Sequence, residues 1–318
     1  MSENRILRVH QKTYEAEGVT SVTLVDPTGN DLPSWEPGAH IALHLPNGLL
    51  REYSLCSDPS DRGRWTVAVL RKPDSRGGSV AVHDALPVGA TLQVDVPRNA
   101  FGLDERAEHH VLVAGGIGIT PILAMTRRLQ QQNKEWHLLY TGRSRTTMAY
   151  LEEIAGFPVD RVTIHADDEA NGSFPDLGAL MASHPATATV YCCGPEPLMN
   201  ACAEALDDPA RLRIERFKAP EQPVNPDGDD TAFDVVISSN GQRITVDANT
   251  SVLDALMSAG LPVPSSCTEG ICGSCEIGVV KGDVDHRDFV LSPDEHASGT
   301  TMLPCVSRCR STELVIDL

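Results

Sequence analysis

The segment that most constrains this chain lies toward its C-terminal end. It reads Cys267-Thr268-Glu269-Gly270-Ile271-Cys272-Gly273-Ser274-Cys275, and a further cysteine follows in Leu303-Pro304-Cys305-Val306. Three thiols crowd one loop and a fourth arrives from a distant segment, the C-x4-C-x2-C…C spacing that holds a 2Fe-2S cluster. Two irons, each taking two soft thiolates, require Cys267, Cys272, Cys275 and Cys305 together. Gly270 and Gly273 let the loop backbone curl close around the inorganic core. A structural zinc site also takes four cysteines, but it favours two matched C-x2-C knuckles, and Cys272 to Cys275 is the one such spacing in this region. The fold must therefore bring a compact loop and a remote strand together.

With 318 residues the chain has room for two domains or more, each with its own core. No run approaches the roughly 20 apolar residues of a membrane span, and no long apolar stretch follows the opening Met-Ser-Glu-Asn-Arg-Ile-Leu. A cytoplasmic protein without membrane association is expected. Nine cysteines, an odd number, argue against a disulfide scaffold. Cys56, Cys192, Cys202 and Cys309 are expected as small buried or half-buried residues. A formal charge of −18 speaks against nucleic acid, whose phosphates need clustered Lys and Arg. The same charge suits docking onto a basic patch of another protein.

Read in order, residues 1–103 carry short β segments broken by Pro37-Gly38 and Asn47-Gly48, the pattern of a small antiparallel β-barrel. Across 104–219 strands alternate with helices, which predicts an α/β domain with a parallel sheet. The first of these strands, His110 to Ala114, leads into a helix expected from Pro121 to about Gln131, with Thr120 as its N-cap. Prolines and charges without apolar periodicity mark 220–231 as a linker. Residues 232–318 then read as a compact α+β unit: a hairpin around Asn240-Gly241, a helix over 252–259, the cysteine loop and a last strand.

Four further stretches carry chemistry. Arg51, Tyr53 and Ser54 sit at the end of a barrel strand. Downstream, Arg76-Gly77-Gly78-Ser79 opens a short helix, where backbone N–H groups, a hydroxyl and a fixed charge can cradle a phosphate. The turn Gly115-Gly116-Ile117-Gly118-Ile119-Thr120-Pro121 and the strand end Cys192-Cys193-Gly194-Pro195 both join strands to helices, so both fall on the carboxyl edge of the sheet, where ligands bind. The first is not G-x-G-x-x-G, and Cys193 on its own is equally a core thiol.

Taken together and in this order, the motifs resemble the three-part iron–sulfur flavoprotein reductases typified by phthalate dioxygenase reductase and the vanillate O-demethylase reductase component. That resemblance implies an FMN-binding barrel, an NAD(P)-binding domain and a C-terminal β-grasp ferredoxin. It assigns Arg51, Tyr53 and Ser54 to the flavin, and Arg76, Gly77, Gly78 and Ser79 to the FMN phosphate. Gly115, Gly116, Gly118, Thr120 and Pro121 would border the nicotinamide nucleotide, Cys193 and Gly194 would lie beside its reactive ring, and Phe217 would cover the flavin. Electrons would run from NADH to FMN to the 2Fe-2S cluster, and on to a partner Rieske non-haem iron oxygenase or O-demethylase. A cytochrome P450 is the alternative acceptor, and a non-catalytic ferredoxin-like or zinc-stabilised binding module is the alternative class. Arg143 and Arg145 invite a 2′-phosphate, whereas Asp167 and Asp168 favour free ribose hydroxyls and hence NADH.

Overall fold

A computed structural model describes residues 4–72, 76–220 and 230–318. The chain divides into two compact units, one running through Arg216 and the other starting at Phe217. Most of the expected linker, 221–229, lies outside the described residues.

The first unit opens with a six-stranded antiparallel sheet. Its strands are β1 (Arg5–Ala16), β2 (Val19–Val25), β3 (His40–His44), β4 (Leu50–Ser54), β5 (Trp65–Leu70) and β6 (Thr91–Val94), in the order β4-β3-β6-β1-β2-β5. A bridge between Leu55 and Val67 joins the two outer strands, so the sheet closes into a barrel and leaves no long open edge. Alternate residues point inward: Leu7 and Val9 from β1, Val22 and Leu24 from β2, Ile41 and Leu43 from β3, Trp65 and Val67 from β5. Helix α1 (Gly78–Val80) runs on into a wider turn over Ala81–Ala85 and sends Ala81 and Val82 into that core.

A parallel sheet follows, built from β7 (His109–Gly115), β8 (Glu135–Gly142), β9 (Val162–Ala166), β10 (Thr189–Cys193) and β11 (Leu212–Glu215) in the order β11-β10-β7-β8-β9. Helices α2 (Ile119–Gln131), α3 (Leu151–Ile154), α4 (Leu177–Ala182) and α5 (Glu196–Glu204) connect them. Strand order reverses beside β7, so the ends of β7 and β10 mark the topological switch point. The barrel and this sheet, expected as 1–103 and 104–219, share apolar packing and form one unit. Ala124 of α2 belongs to the barrel core, while Ile119, Ile122, Leu123 and Met125 pack with Ala16, Val19 and Ala68 of the barrel wall.

One expectation fails here. Thr120 does not cap α2: a tight turn over Gly116–Gly118 precedes a helix that already begins at Ile119, with Gly118 as its cap. The Thr120 hydroxyl instead donates back to the Ile117 carbonyl at 3.1 Å, closing the turn.

In the second unit β12 (Phe233–Ile237) pairs antiparallel with β13 (Arg243–Val246) and parallel with the last strand, β18 (Glu313–Asp317). With β14 (Ile277–Lys281) and β16 (Thr301–Met302) these make the sheet order β13-β12-β18-β14-β16. Helix α6 (Val252–Ser258) is capped by the Ser251 hydroxyl, and its Val252, Leu253, Ala255 and Leu256 are buried. A small pair, β15 (Val284–Asp285) with β17 (Arg308–Cys309), and a capped helix α7 (Pro293–Ser298) complete it. The barrel, the parallel sheet and the α+β unit are the three architectures expected from the sequence.

Candidate functional site

The four cluster cysteines come together in two pairs. Cys275 and Cys305 lie with their sulfurs 3.3 Å apart. Cys267 and Cys272 form the other hydrogen-bonded pair. Proximity pushes one thiol of each pair up, Cys305 because of Cys275 and Cys272 because of Cys267, since two neighbouring thiolates cannot form without a cation between them. A single tetrahedral zinc would draw all four sulfurs to about 3.8 Å of one another. Among the described residues the group of three ligand atoms lying within 4.8 Å of one another is made of two histidines and an aspartate, not of these cysteines. Two separate pairs fit two irons. Gly270, with φ +71°, takes a conformation that suits glycine, and a Cβ there would lie 2.6 Å from Val306 Cγ2. Cys275 and Cys305 are buried, whereas Cys267 and Cys272 are half-buried, so the latter pair forms the more accessible edge. Cys56, Cys192 and Cys202 are buried and Cys309 half-buried, as expected.

In the first unit the structure brings Arg51 to the Arg76–Ser79 turn. The Arg51 side chain lies across the bare Cα of Gly78, where an added Cβ would meet its Nε at 2.6 Å. Gly77 begins the turn at φ +93°, and the Asn47 amide donates to its carbonyl at 3.3 Å. Ser79 Oγ accepts the Lys72 N–H at 3.2 Å. A helix start with two guanidinium-bearing residues, Arg51 and Arg76, around a glycine that admits close approach fits a phosphate. Tyr53 follows Arg51 at a spacing of two on β4 and packs against the barrel core; burial holds its phenol neutral up to about 12. Ser54 points away from it and donates to Glu215 Oε2 at 3.3 Å.

At the switch point the two strand–helix turns touch. A Cβ on Gly118 would lie 2.1 Å from the Cys193 carbonyl oxygen, and one on Gly115 would strike Pro195 and Leu198. Gly194 closes the same contact from the other side, where an added Cβ would lie 3.0 Å from the Gly115 backbone. These glycines therefore bring the turns against each other; Gly116, at φ +54° with open space beside it, is the one whose backbone faces outward. Thr120 and Pro121 are buried at the root of α2. Cys193 ends β10 opposite Ala114 and Glu215, fully buried, and burial pushes its thiol well up, so it carries no thiolate at neutral pH. Phe217 heads the second unit and is 40% exposed.

Glu215, the partner of Ser54, was not singled out in the sequence reading. Burial raises its carboxyl to about 8; the Ser54 hydrogen bond opposes that shift and the charge of Glu52 adds to it. In the sequence it is one acidic residue in Arg213-Ile214-Glu215-Arg216, with no local signal that it meets Ser54.

Residues 235–310 match the family described as the 2Fe-2S iron-sulfur cluster binding domain, and residues 93–210 the dimethylamine monooxygenase subunit DmmA-like N-terminal domain. The chain is 45% identical over 314 residues to phenoxybenzoate dioxygenase subunit beta of Ectopseudomonas oleovorans, covering 98% of this chain and 97% of that protein. It is 40% identical over 309 residues to vanillate O-demethylase oxidoreductase of Pseudomonas sp. (strain HR199 / DSM 7063), covering 95% and 96%. Among solved structures, phthalate dioxygenase reductase matches with a TM-score of 0.74 at 37% identity, covering 99% of this chain and 98% of that one. An intact type IV self-sufficient cytochrome P450 monooxygenase matches with a TM-score of 0.89 at 41% identity, and there the alignment covers 99% of this chain but only 41% of the larger protein. Similarity of this extent over the whole length makes this chain a member of the iron–sulfur flavoprotein reductase family of phthalate dioxygenase reductase and vanillate O-demethylase oxidoreductase.

Proposed function

We propose that this chain is the reductase component of an oxygenase system, taking electrons from NADH through FMN and its own 2Fe-2S cluster to a terminal oxygenase of the Rieske non-haem iron or O-demethylase type. The observation that carries the reading is the presence, on one chain, of two thiol pairs spaced for two irons and a phosphate cradle beside a switch-point crevice. When bound, FMN supplies the exchange between a two-electron donor and a one-electron acceptor. Arg51 and the Arg76–Ser79 turn hold its phosphate, and the neutral phenol of Tyr53 offers an apolar face to its rings. Gly116 admits the dinucleotide backbone, while Cys193 and Gly194 wall the crevice at the nicotinamide end. Glu215 holds a proton at neutral pH, joined to the Ser54 hydroxyl, so that a protonated group stands at the junction of barrel and sheet.

The coenzyme choice follows from charge. Arg145 donates to Glu169 Oε1 at 2.7 Å, which neutralises one of the two arginines near the end of β8. Asp167 and Asp168 fold back onto Gly142 and Arg143 through backbone hydrogen bonds of 2.9 and 3.1 Å, placing carboxylates in the same region. NADH is favoured over NADPH. No helix among the described residues is long and apolar enough to cross a membrane, and a cytoplasmic setting suits nine free thiols. Glu276, exposed next to Cys275, and Glu269 belong to the acidic face offered to the oxygenase. Similarity to the P450 monooxygenase favours a P450 as the second reading of the acceptor.

The test is an anaerobic visible spectrum of the purified protein before and after NADH, then NADPH. Flavin bands with a longer-wavelength iron–sulfur shoulder, bleached by NADH, are expected. A colourless protein containing zinc in the cysteine site would leave a binding module instead.

A further inference from the structure

Away from the cysteine ligands, the second unit holds three side chains that the electron-transfer reading does not use. Asp288 lies between two imidazoles. Its Oδ1 is 3.2 Å from His296 Nε2 and 3.6 Å from His286 Nδ1, and one ligand atom from each of the three residues falls within 4.8 Å of the others. We propose that His286, Asp288 and His296 bind a single zinc ion that clips the segment between β15 and α7 onto the ferredoxin unit.

Each ligand is prepared in a way that a chance cluster is not. The Asp288 side chain is 0% exposed, and its Oδ2 accepts the backbone N–H groups of Leu291 at 2.8 Å and Val290 at 3.2 Å. That fixes the carboxylate plane and leaves Oδ1 facing the rings, the kind of outer support that metal-binding carboxylates receive. The His286 side chain is 9% exposed, and neither of its ring nitrogens makes a hydrogen bond. A buried imidazole with both nitrogens unmatched is costly, and a cation would satisfy one of them. His286 and His296 stack with centroids 4.4 Å apart and planes 22° apart, so one ring must turn for both to aim a nitrogen at the same ion.

The distances suit zinc. Four ligands at 2.0–2.1 Å around a tetrahedral ion lie about 3.3–3.4 Å from one another, and two of the three protein contacts, 3.2 and 3.6 Å, bracket that value. Two imidazoles and a carboxylate are nitrogen and oxygen donors of the type zinc accepts, with water as the fourth. Access is provided by an open depression lined by Gly282, Asp283, His286, His296, Ser298 and Arg310. The Arg310 charge, which would oppose a cation, is balanced by Asp285 at 3.1 Å and Asp283 at 3.8 Å. Without metal, Asp288 hydrogen-bonds His296 at 3.2 Å but stands 3.6 Å from His286 Nδ1, beyond hydrogen-bond reach.

The clip bears on the cysteine loop through a backbone hydrogen bond. Phe289, next to Asp288, donates its N–H to the Gly270 carbonyl at 2.9 Å, in the middle of the cysteine loop. Fixing residues 286–296 thereby steadies that loop without supplying it a ligand.

The test uses the full-length protein with its cluster intact. It is freed of loose metal with EDTA, then dialysed against zinc chloride, with zinc counted by mass spectrometry and its shell read by zinc-edge X-ray absorption. One zinc per chain in a nitrogen and oxygen shell is expected. His296→Gln and His286→Phe should each weaken binding by more than the roughly tenfold that loss of an outer partner costs, with the visible iron–sulfur spectrum unchanged. Absence of stoichiometric zinc, sulfur in its shell, or wild-type affinity in both variants would overturn the site.

Discussion

Glu215 carries a proton at a pH where an exposed glutamate is ionised. Its carboxyl rises from the ordinary 4.5 to about 8 on folding, so between those values the folded chain binds a proton that the unfolded chain has released. Stability should therefore fall as pH rises from about 4.5 to about 8, and Glu215→Gln should flatten that slope, as measured by denaturant unfolding across the range. The second prediction at this scale concerns Arg51, whose guanidinium lies over Gly78. Arg51→Ala should raise the dissociation constant for FMN by tenfold or more, a loss of about 1.5–3 kcal/mol for a hydrogen bond to a charged group, read by flavin fluorescence on dilution. Unchanged retention would place the phosphate elsewhere. The cysteines were legible because their meaning is carried by local spacing. The pairing of Ser54 with Glu215 was not, because the two meet across 161 residues and nothing local in the sequence joins them.

At the scale of elements, helices and strands of the parallel sheet follow the alternation read from the sequence, most clearly where a strand is apolar and buried as β7 is. The start of α2 does not, because contact with another turn, rather than capping, decides it. Gly118 must fit beneath the Cys193 carbonyl, and the backbone tightens before the helix to achieve this. Gly118→Ala should force the β7 and β10 turns apart, with an overpacking cost of about 1–3 kcal/mol in thermal unfolding and a raised KM for NADH. A stability equal to that of the parent would mean the turns are not held in contact. β1 escaped assignment because register shifts between Val9 and Gln11 and between Tyr14 and Ala16 interrupt its alternation. α7 was overlooked although Ser292 and Glu295 form a capping box readable from the sequence alone.

Over the whole molecule the modular order was the most legible property, since three architectures follow one another without interleaving. Cys272→Ser should abolish the iron–sulfur signal and cytochrome c reduction while leaving NADH-driven ferricyanide reduction largely intact; equal loss of both would contradict the division of labour. Less legible was that three modules make two units, because α2 lends Ala124 to the barrel core while Ile119, Ile122, Leu123 and Met125 join one cluster with residues of both the barrel wall and the sheet. That sharing limits where the gene can be divided. A break near residue 103 would part residues that share one core, whereas a break between Arg216 and Phe217 leaves every buried apolar cluster whole. Expressed as two polypeptides from the latter break, the chain should give a yellow half that still oxidises NADH and a red-brown half that does not, and scanning calorimetry of the intact protein should show two transitions instead of three.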